Sequence, residues 1–234
     1  MGFGSKFKKM IGAIYSNQKA RVIINGETTE NFRIMKGVRQ GCPMSPLLFI
    51  LTMEVLLNQI RQRKDIIGLK SKKEEYKVQA FADDLVFFVE DPMESGTYLI
   101  QELEEYGMVA GLKINKDKTK VITKNLTENQ KKDLERKWGL QNAKKLKYLG
   151  IWLTGRCSSI KEDNYTKLLT QIKKDLANWE KLQLSLLGRI AAIKMNVLPK
   201  LLYYFQTVPI KLDKKFFQEL DRTVTKFIWM GEKA

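Results

Sequence analysis

The stretch Val78-Gln79-Ala80-Phe81-Ala82-Asp83-Asp84-Leu85-Val86-Phe87-Phe88-Val89 sets two adjacent carboxylates inside an otherwise apolar run. β-Branched and aromatic residues on both sides predict two strands, so the acids fall at the turn of a hairpin. Neighbouring like charges beside an apolar sheet repel one another and cost free energy unless a cation sits there. A divalent metal is the usual solution, and hard carboxylate oxygens suit Mg²⁺. The tetrapeptide Phe81-Ala82-Asp83-Asp84 alone leaves open a plain solvent-exposed Asp-Asp turn.

The rest of the chain bears on that choice. At 234 residues it is long enough for one large domain or two small ones, and its net charge of +16 points to a polyanionic partner, with nucleic acid first. The charge is uneven. Residues 1–111 carry 15 basic and 14 acidic side chains, residues 112–147 carry 12 and 4, and residues 148–234 carry 15 and 8. A nearly neutral floor beside a basic wall suits a polymer held electrostatically and acted on locally. The absence of histidine excludes His-based acid–base chemistry and His-containing zinc sites. Cys42 and Cys157 are too few and too far apart for a zinc motif or disulfide framework, and they suit a reducing compartment. The longest apolar run, Leu47 to Leu57, is interrupted by Glu54 and too short to span a bilayer, and the N-terminus lacks a signal-peptide core.

Periodicity supplies the frame. Phe7, Met10, Ile11 and Ile14 predict an amphipathic helix. A strand from Ala20 to Asn25 turns at Asn25-Gly26, with a return near Phe32 to Met35. Ser45-Pro46 predicts the start of a long helix to about Arg63, with Ser45 as N-cap and Pro46 first in the helix. After the acidic hairpin, Asp91-Pro92 opens another helix, with Leu99, Leu103 and Tyr106 on one face and Gly111 as its stop. Short strands follow near Val121 to Thr123 and at Tyr148 to Leu153, with a basic connector between them. From about residue 155 the pattern is wholly helical: Tyr165 to Trp179, then Ser185 to Tyr204 kinked or broken at Pro199, then Phe216 to Ile228. The expected class is an α/β sandwich with an antiparallel sheet over residues 1–153, followed by an all-α subdomain over 154–234.

A second constellation is Gly37-Val38-Arg39-Gln40-Gly41-Cys42-Pro43-Met44-Ser45-Pro46. Gly41 lets a ligand approach the backbone, Arg39 and Gln40 offer donors suited to phosphates and base edges, and Pro43 stiffens the turn. This string and the acidic hairpin together resemble motifs B and C of the reverse transcriptases of non-LTR, LINE-type retrotransposons. Gly111-Leu112-Lys113-Ile114-Asn115 with Lys118-Thr119 resembles motif D. Leu146-Lys147-Tyr148-Leu149-Gly150-Ile151 is similar to the strand turn that grips the primer. Gly188-Arg189, Leu198-Pro199-Lys200 and Phe227-Ile228-Trp229 resemble the thumb.

The resemblance implies a partial polymerase palm over 1–153 and a helical thumb over 154–234. It implies template-directed DNA synthesis on RNA by two-metal phosphoryl transfer, with an RNA template, a DNA primer and dNTPs as partners, and neither a membrane nor zinc. Carried over by residue, Asp83 and Asp84 are the metal ligands. Arg39, Gln40, Gly41, Pro43 and Ser45 line the pocket for nucleotide and template. Tyr148, Leu149, Gly150 and Ile151 position the primer end, and Lys118 is a proton donor or phosphate contact. Lys173, Lys174 and Lys194 are candidate backbone contacts of the thumb. The family's third carboxylate, from motif A, has no counterpart among these residues, so the Mg²⁺ site is expected to be incomplete and the chain inactive without an upstream part of the polymerase. The alternatives are a non-enzymatic nucleic-acid-binding remnant of a retrotransposon, or an intron-maturase-like polymerase fragment. Nuclear action on chromosomal DNA is implied by the resemblance alone.

Overall fold

A computed structural model describes residues 2–35 and 37–231. Met1, Lys36 and residues 232–234, the last ending the expected thumb span, lie outside the described residues. The chain divides into two compact units, Met1–Lys116 and Asp117–Ala234.

The first unit opens with helix α1 (Ser5–Tyr15). Four two-residue strands follow: β1 (Lys19–Ala20), β2 (Ile23–Ile24), β3 (Glu27–Thr28) and β4 (Phe32–Arg33). β2 and β3 pair across Asn25-Gly26, and β1 pairs antiparallel with β4, so the predicted return strand is present. Asn25 and Gly26 both have positive φ, as a tight hairpin with right-handed twist requires.

Helix α2 (Met44–Gln62) follows the glycine-rich loop. Its N-cap is Pro43, not Ser45; Ser45 lies inside the first turn, and its Oγ donates to the Arg39 carbonyl at 2.5 Å. The serine is buried, so its hydroxyl ties the loop back on itself rather than capping a free helix amide. Strands β5 (Leu69–Ser71) and β6 (Glu74–Tyr76) form one hairpin, and β7 (Val78–Phe81) and β8 (Asp84–Phe87) form the acidic one. Helix α3 (Ser95–Ala110) begins four residues after Asp91, whose carboxylate instead accepts the amides of Met93 and Glu94 in the preceding turn. It stops at Gly111 in the left-handed conformation, as predicted. Met53, Leu56, Ile60, Ile66 and Leu99 form this unit's core, with Val78, Leu85, Phe87, Val89, Leu103 and Tyr106 packed on it.

The second unit starts with β9 (Lys120–Val121) and then a helix the sequence reading missed, α4 (Glu128–Trp138). Thr127 and Gln130 cap it reciprocally, a signal that the lysine-rich composition obscured. β10 (Gln141–Asn142) runs parallel to β9. The strand expected from Tyr148 to Leu153 is instead half of a hairpin: β11 (Lys145–Tyr148) and β12 (Ile151–Thr154) pair antiparallel around Leu149-Gly150. Leu149 and Gly150 both have positive φ, and this two-residue turn breaks what the apolar run presents as one strand.

A π-helical turn, Glu162–Thr166, leads into α5 (Lys167–Trp179). Helix α6 (Leu186–Ala192) passes through a second π-helical turn, Ile193–Val197, into α7 (Leu198–Thr207). Pro199 lies two residues past this π-helical turn, as the second residue of α7, and the helical run continues through it. Helix α8 (Lys214–Ile228) begins at Asp213, whose carboxylate accepts the Phe216 amide at 3.0 Å. Leu168, Ile172, Leu176, Val197, Leu201 and Phe227 form one core; Tyr165, Leu169, Val208 and Phe216 form another.

Among the described residues the strands pair only two at a time, so the α/β class stands while no larger antiparallel sheet joins the pairs. No helix among them is long and apolar enough to cross a membrane.

Phe227 is 1% exposed and its ring meets Trp179 edge-on. Phe227→Ala is expected to cost about 3–5 kcal/mol in denaturant unfolding followed by tryptophan fluorescence. Thr127→Ala, which removes the capping box of α4, is expected to cost about 1 kcal/mol in the same assay.

Candidate active site

In the β7–β8 ladder Val78 faces Phe87 and Ala80 faces Leu85, while Gln79 faces Val86 and Phe81 faces Asp84. Val78, Leu85 and Phe87 turn towards α2 and α3. Alternation then puts Phe81 and Asp84 on the opposite, open face. Asp83 is the second residue of the two-residue turn, after Ala82, whose φ of 51° is left-handed. An alanine held there carries a cost of about 1 kcal/mol. Both aspartates are exposed, and among the described residues neither carboxylate has a hydrogen-bond or ion-pair partner. Lys77 anchors the base of the hairpin: its Nζ donates to the carbonyls of Arg61 and Arg63 at the end of α2, at 3.3 and 2.6 Å. Arg63 in turn bonds Glu102 of α3 at 2.7 Å and Asp65, and these carboxylates hold its guanidinium firmly protonated.

Two exposed carboxylates with no competing partner match the oxygen chemistry of a hard divalent cation. Among the described residues, however, no group of three or more His, Cys, Asp or Glu side chains comes together to hold a metal.

The loop before α2 has Gly37 and Gly41 at φ 87° and 82°, a conformation that only glycine adopts without strain. A Cβ on Gly41 would meet nothing within 4 Å, so the backbone there is open to approach. Arg39, Gln40 and Pro43 are exposed, whereas Ser45 is buried with its hydroxyl on Arg39. Cys42 lies 4.0 Å from the Tyr15 hydroxyl, and the Met44 amide pulls its thiol pKa down.

The remaining candidates belong to the second unit. Lys118 is exposed in the turn before β9. Tyr148, Leu149, Gly150 and Ile151 are contiguous at the tip of the β11–β12 hairpin. Lys173 is ion-paired with Glu219 of α8.

Several residues that the sequence reading passed over hold this hairpin. Asn164, 1% exposed, accepts the Trp152 amide at 2.9 Å and donates to the Trp152 carbonyl at 2.9 Å, acting as a one-residue strand partner. Asp163 accepts from Lys145 of β11 at 2.7 Å and from Lys167 of α5 at 2.8 Å. Those lysines, Lys145 first, hold its pKa down at about 2. Both ammonium groups also lie over the Trp152 ring, at 5.6 and 4.9 Å. The hydroxyls of Tyr203 and Tyr204 donate to the carbonyls of Leu149 and Gly150. Asn164, Tyr203 and Tyr204 fall on helical stripes or beside them, where apolar spacing reads as core.

Residues 2–153 match the family described as reverse transcriptase (RNA-dependent DNA polymerase). The chain belongs to the reverse transcriptase family, in the form carried by LINE-type retrotransposons. Over 237 aligned residues it is 25% identical to a protein of transposon TX1 from Xenopus laevis, named only as an uncharacterized 149 kDa protein, covering 98% of this chain and 17% of that one. Over 94 residues it is 40% identical to the retrovirus-related Pol polyprotein of the type-2 retrotransposable element R2DM of Drosophila melanogaster, covering 40% of this chain and 8% of the other. A third relative, the Pol polyprotein of the type-1 element R2 of Nasonia vitripennis, is 35% identical over 77 residues, 33% of this chain and 7% of its own length. The chain thus spans less than a fifth of the length of each of these relatives.

The Asp163 cluster gives a pH signature. A depressed carboxylate contributes stability that is complete above its unfolded value near 3.8 and is lost as pH falls through about 2. Acid titration of thermal unfolding is expected to show a falling midpoint between about pH 4 and pH 2, and Asp163→Asn should flatten that segment. An unchanged slope in the variant would remove Asp163 as the source.

Proposed function

We propose that this chain contributes the motif B-to-thumb part of an RNA-directed DNA polymerase, with residues 1–153 as palm and 154–234 as thumb. The observation that carries the reading is the exposed, unpartnered Asp83–Asp84 pair on a core-backed hairpin, in a chain whose residues 2–153 match the reverse transcriptase family. Asp83 and Asp84 would hold a divalent cation, with Mg²⁺ the expected one, which when bound would supply Lewis-acid activation and charge neutralisation for phosphoryl transfer.

The chain's own residues do the rest. Arg39 and Gln40 offer donors to the triphosphate or to template bases, and the open backbone at Gly41 lets the nucleotide come close. The tip at Tyr148–Ile151 bears on the primer backbone. Lys118 contacts phosphate or passes a proton to the leaving group. Basic side chains of the helices, Lys174 and Lys194 among them, meet the duplex backbone without reading sequence. An upstream segment of the polymerase would supply the ligand that faces the aspartate pair.

Two measurements test this. The chain is expected to bind an RNA–DNA duplex with a log–log salt slope of about −0.7 to −0.9 per phosphate neutralised, and Asp83→Ala should leave that binding intact. Loss of duplex binding at low salt would sink the reading. Primer extension with Mg²⁺ and dNTPs is expected to yield no product from this chain alone. Synthesis abolished by Asp83→Ala would instead show that the chain assembles a complete site.

A further inference from the structure

We propose that Tyr203 and Tyr204 are positioning residues that fix the primer-side turn Leu149-Gly150 to helix α7, so that the primer end is set by the helical unit. The proposal rests on the reading of 148–151 as the primer-contacting tip. A two-stranded hairpin such as β11–β12 is marginal without something to pack on. Its turn carries two carbonyls, those of Leu149 and Gly150, and each accepts a hydroxyl from a neighbouring residue of one helix. A Cβ built on Gly150 would lie 3.8 Å from the Tyr203 ring, so that ring stands beside the turn with room for one more carbon between them.

Adjacent helical residues point about 100° apart, so the two phenols reach the turn from different sides. Two bonds from two directions resist rotation of the turn as well as its departure. The inner phenol is itself braced. The Tyr165 hydroxyl donates to the carbonyls of Tyr204 and Val208, both at 2.9 Å, and the Tyr165 and Tyr204 rings meet edge-on at 6.1 Å. Ile151, just past the turn, packs into the same core. Asn164 at Trp152 and Asp163 at Lys145 hold the hairpin further back. Tip, middle and base are thus each bonded to the helices, and the hairpin moves with them.

The test uses the chain with a duplex of RNA template and DNA primer carrying 2-aminopurine at the primer 3′ nucleotide. Tyr203→Phe and Tyr204→Phe keep the rings and remove the hydroxyls. Amide exchange at 148–151 is expected to quicken about fivefold per hydroxyl lost. Duplex affinity, dominated by phosphate contacts, should stay within about twofold. The 2-aminopurine signal should nevertheless shift, reporting a displaced primer end. Asp213→Ala, which removes the cap of α8 without touching the hairpin, is the control for lost stability. If the double Tyr→Phe variant leaves exchange and fluorescence unchanged, or if Asp213→Ala shifts the fluorescence as far, the proposal is overturned. A wild-type chain whose duplex binding leaves 2-aminopurine unaffected would instead refute the primer reading of 148–151, and exchange would still decide the clamp.

Discussion

The side-chain alternation of one short strand governs the acidic site. Leu85 and Phe87 must enter the core formed by α2 and α3, and a strand has only two faces. Asp84 therefore has to point away from that core, and the two-residue turn keeps Asp83 beyond it. A slip of one residue would drive a carboxylate into the apolar layer and expose two large hydrophobic side chains. The register is accordingly fixed from behind, by Met53, Leu56 and Ile60 of α2, and from below, by the Lys77 ammonium on the end of that helix. The pair's exposure follows from packing and does not require any partner at the carboxylates themselves.

What could be read from the sequence followed from strength of signal. The acidic hairpin, the Asn25-Gly26 turn, the stop at Gly111 and the three helical stripes of the second unit each combine periodicity with a punctuating residue, and each is present. The failures have distinct causes. Helix α4 buries only Leu134 and Trp138, too few for periodicity to show, although its capping box was there to be read. Ser45 has the chemistry of a cap, but its hydroxyl turns back to Arg39 and the helix starts before it. The β11–β12 turn was hidden because a leucine takes one of its two left-handed positions. At the site, the aspartates and the glycine-rich loop were legible as chemistry. The side chains that brace the β11–β12 hairpin were not, because long-range bonds from Asn164, Tyr203 and Tyr204 leave no local pattern.

The basic excess also takes a more definite form. Residues 117–234 hold 25 basic and 12 acidic side chains. Six of those acids, Glu128, Asp133, Asp163, Asp175, Asp213 and Glu219, already meet a lysine or arginine. Apart from those of the buried Asp163, pairs of this exposed kind add little stability. Their larger effect is to neutralise the unit's own anions, so that the surplus lysines set its field.

The π-helical turn at Ile193–Val197 gives the helix that carries the two tyrosines a phase. It behaves as a one-residue insertion between α6 and α7: removing a single residue there would let an ordinary α-helix run through without losing a turn of hydrogen bonds. Winding the same residues as an ordinary α-helix, with none removed, would instead rotate everything beyond them by about 100°. Leu201 would leave the core, and the phenols would sweep off the Leu149-Gly150 carbonyls together. The irregular turn thus acts as an angular offset that aligns one helix with two separate surfaces, its own core and the hairpin.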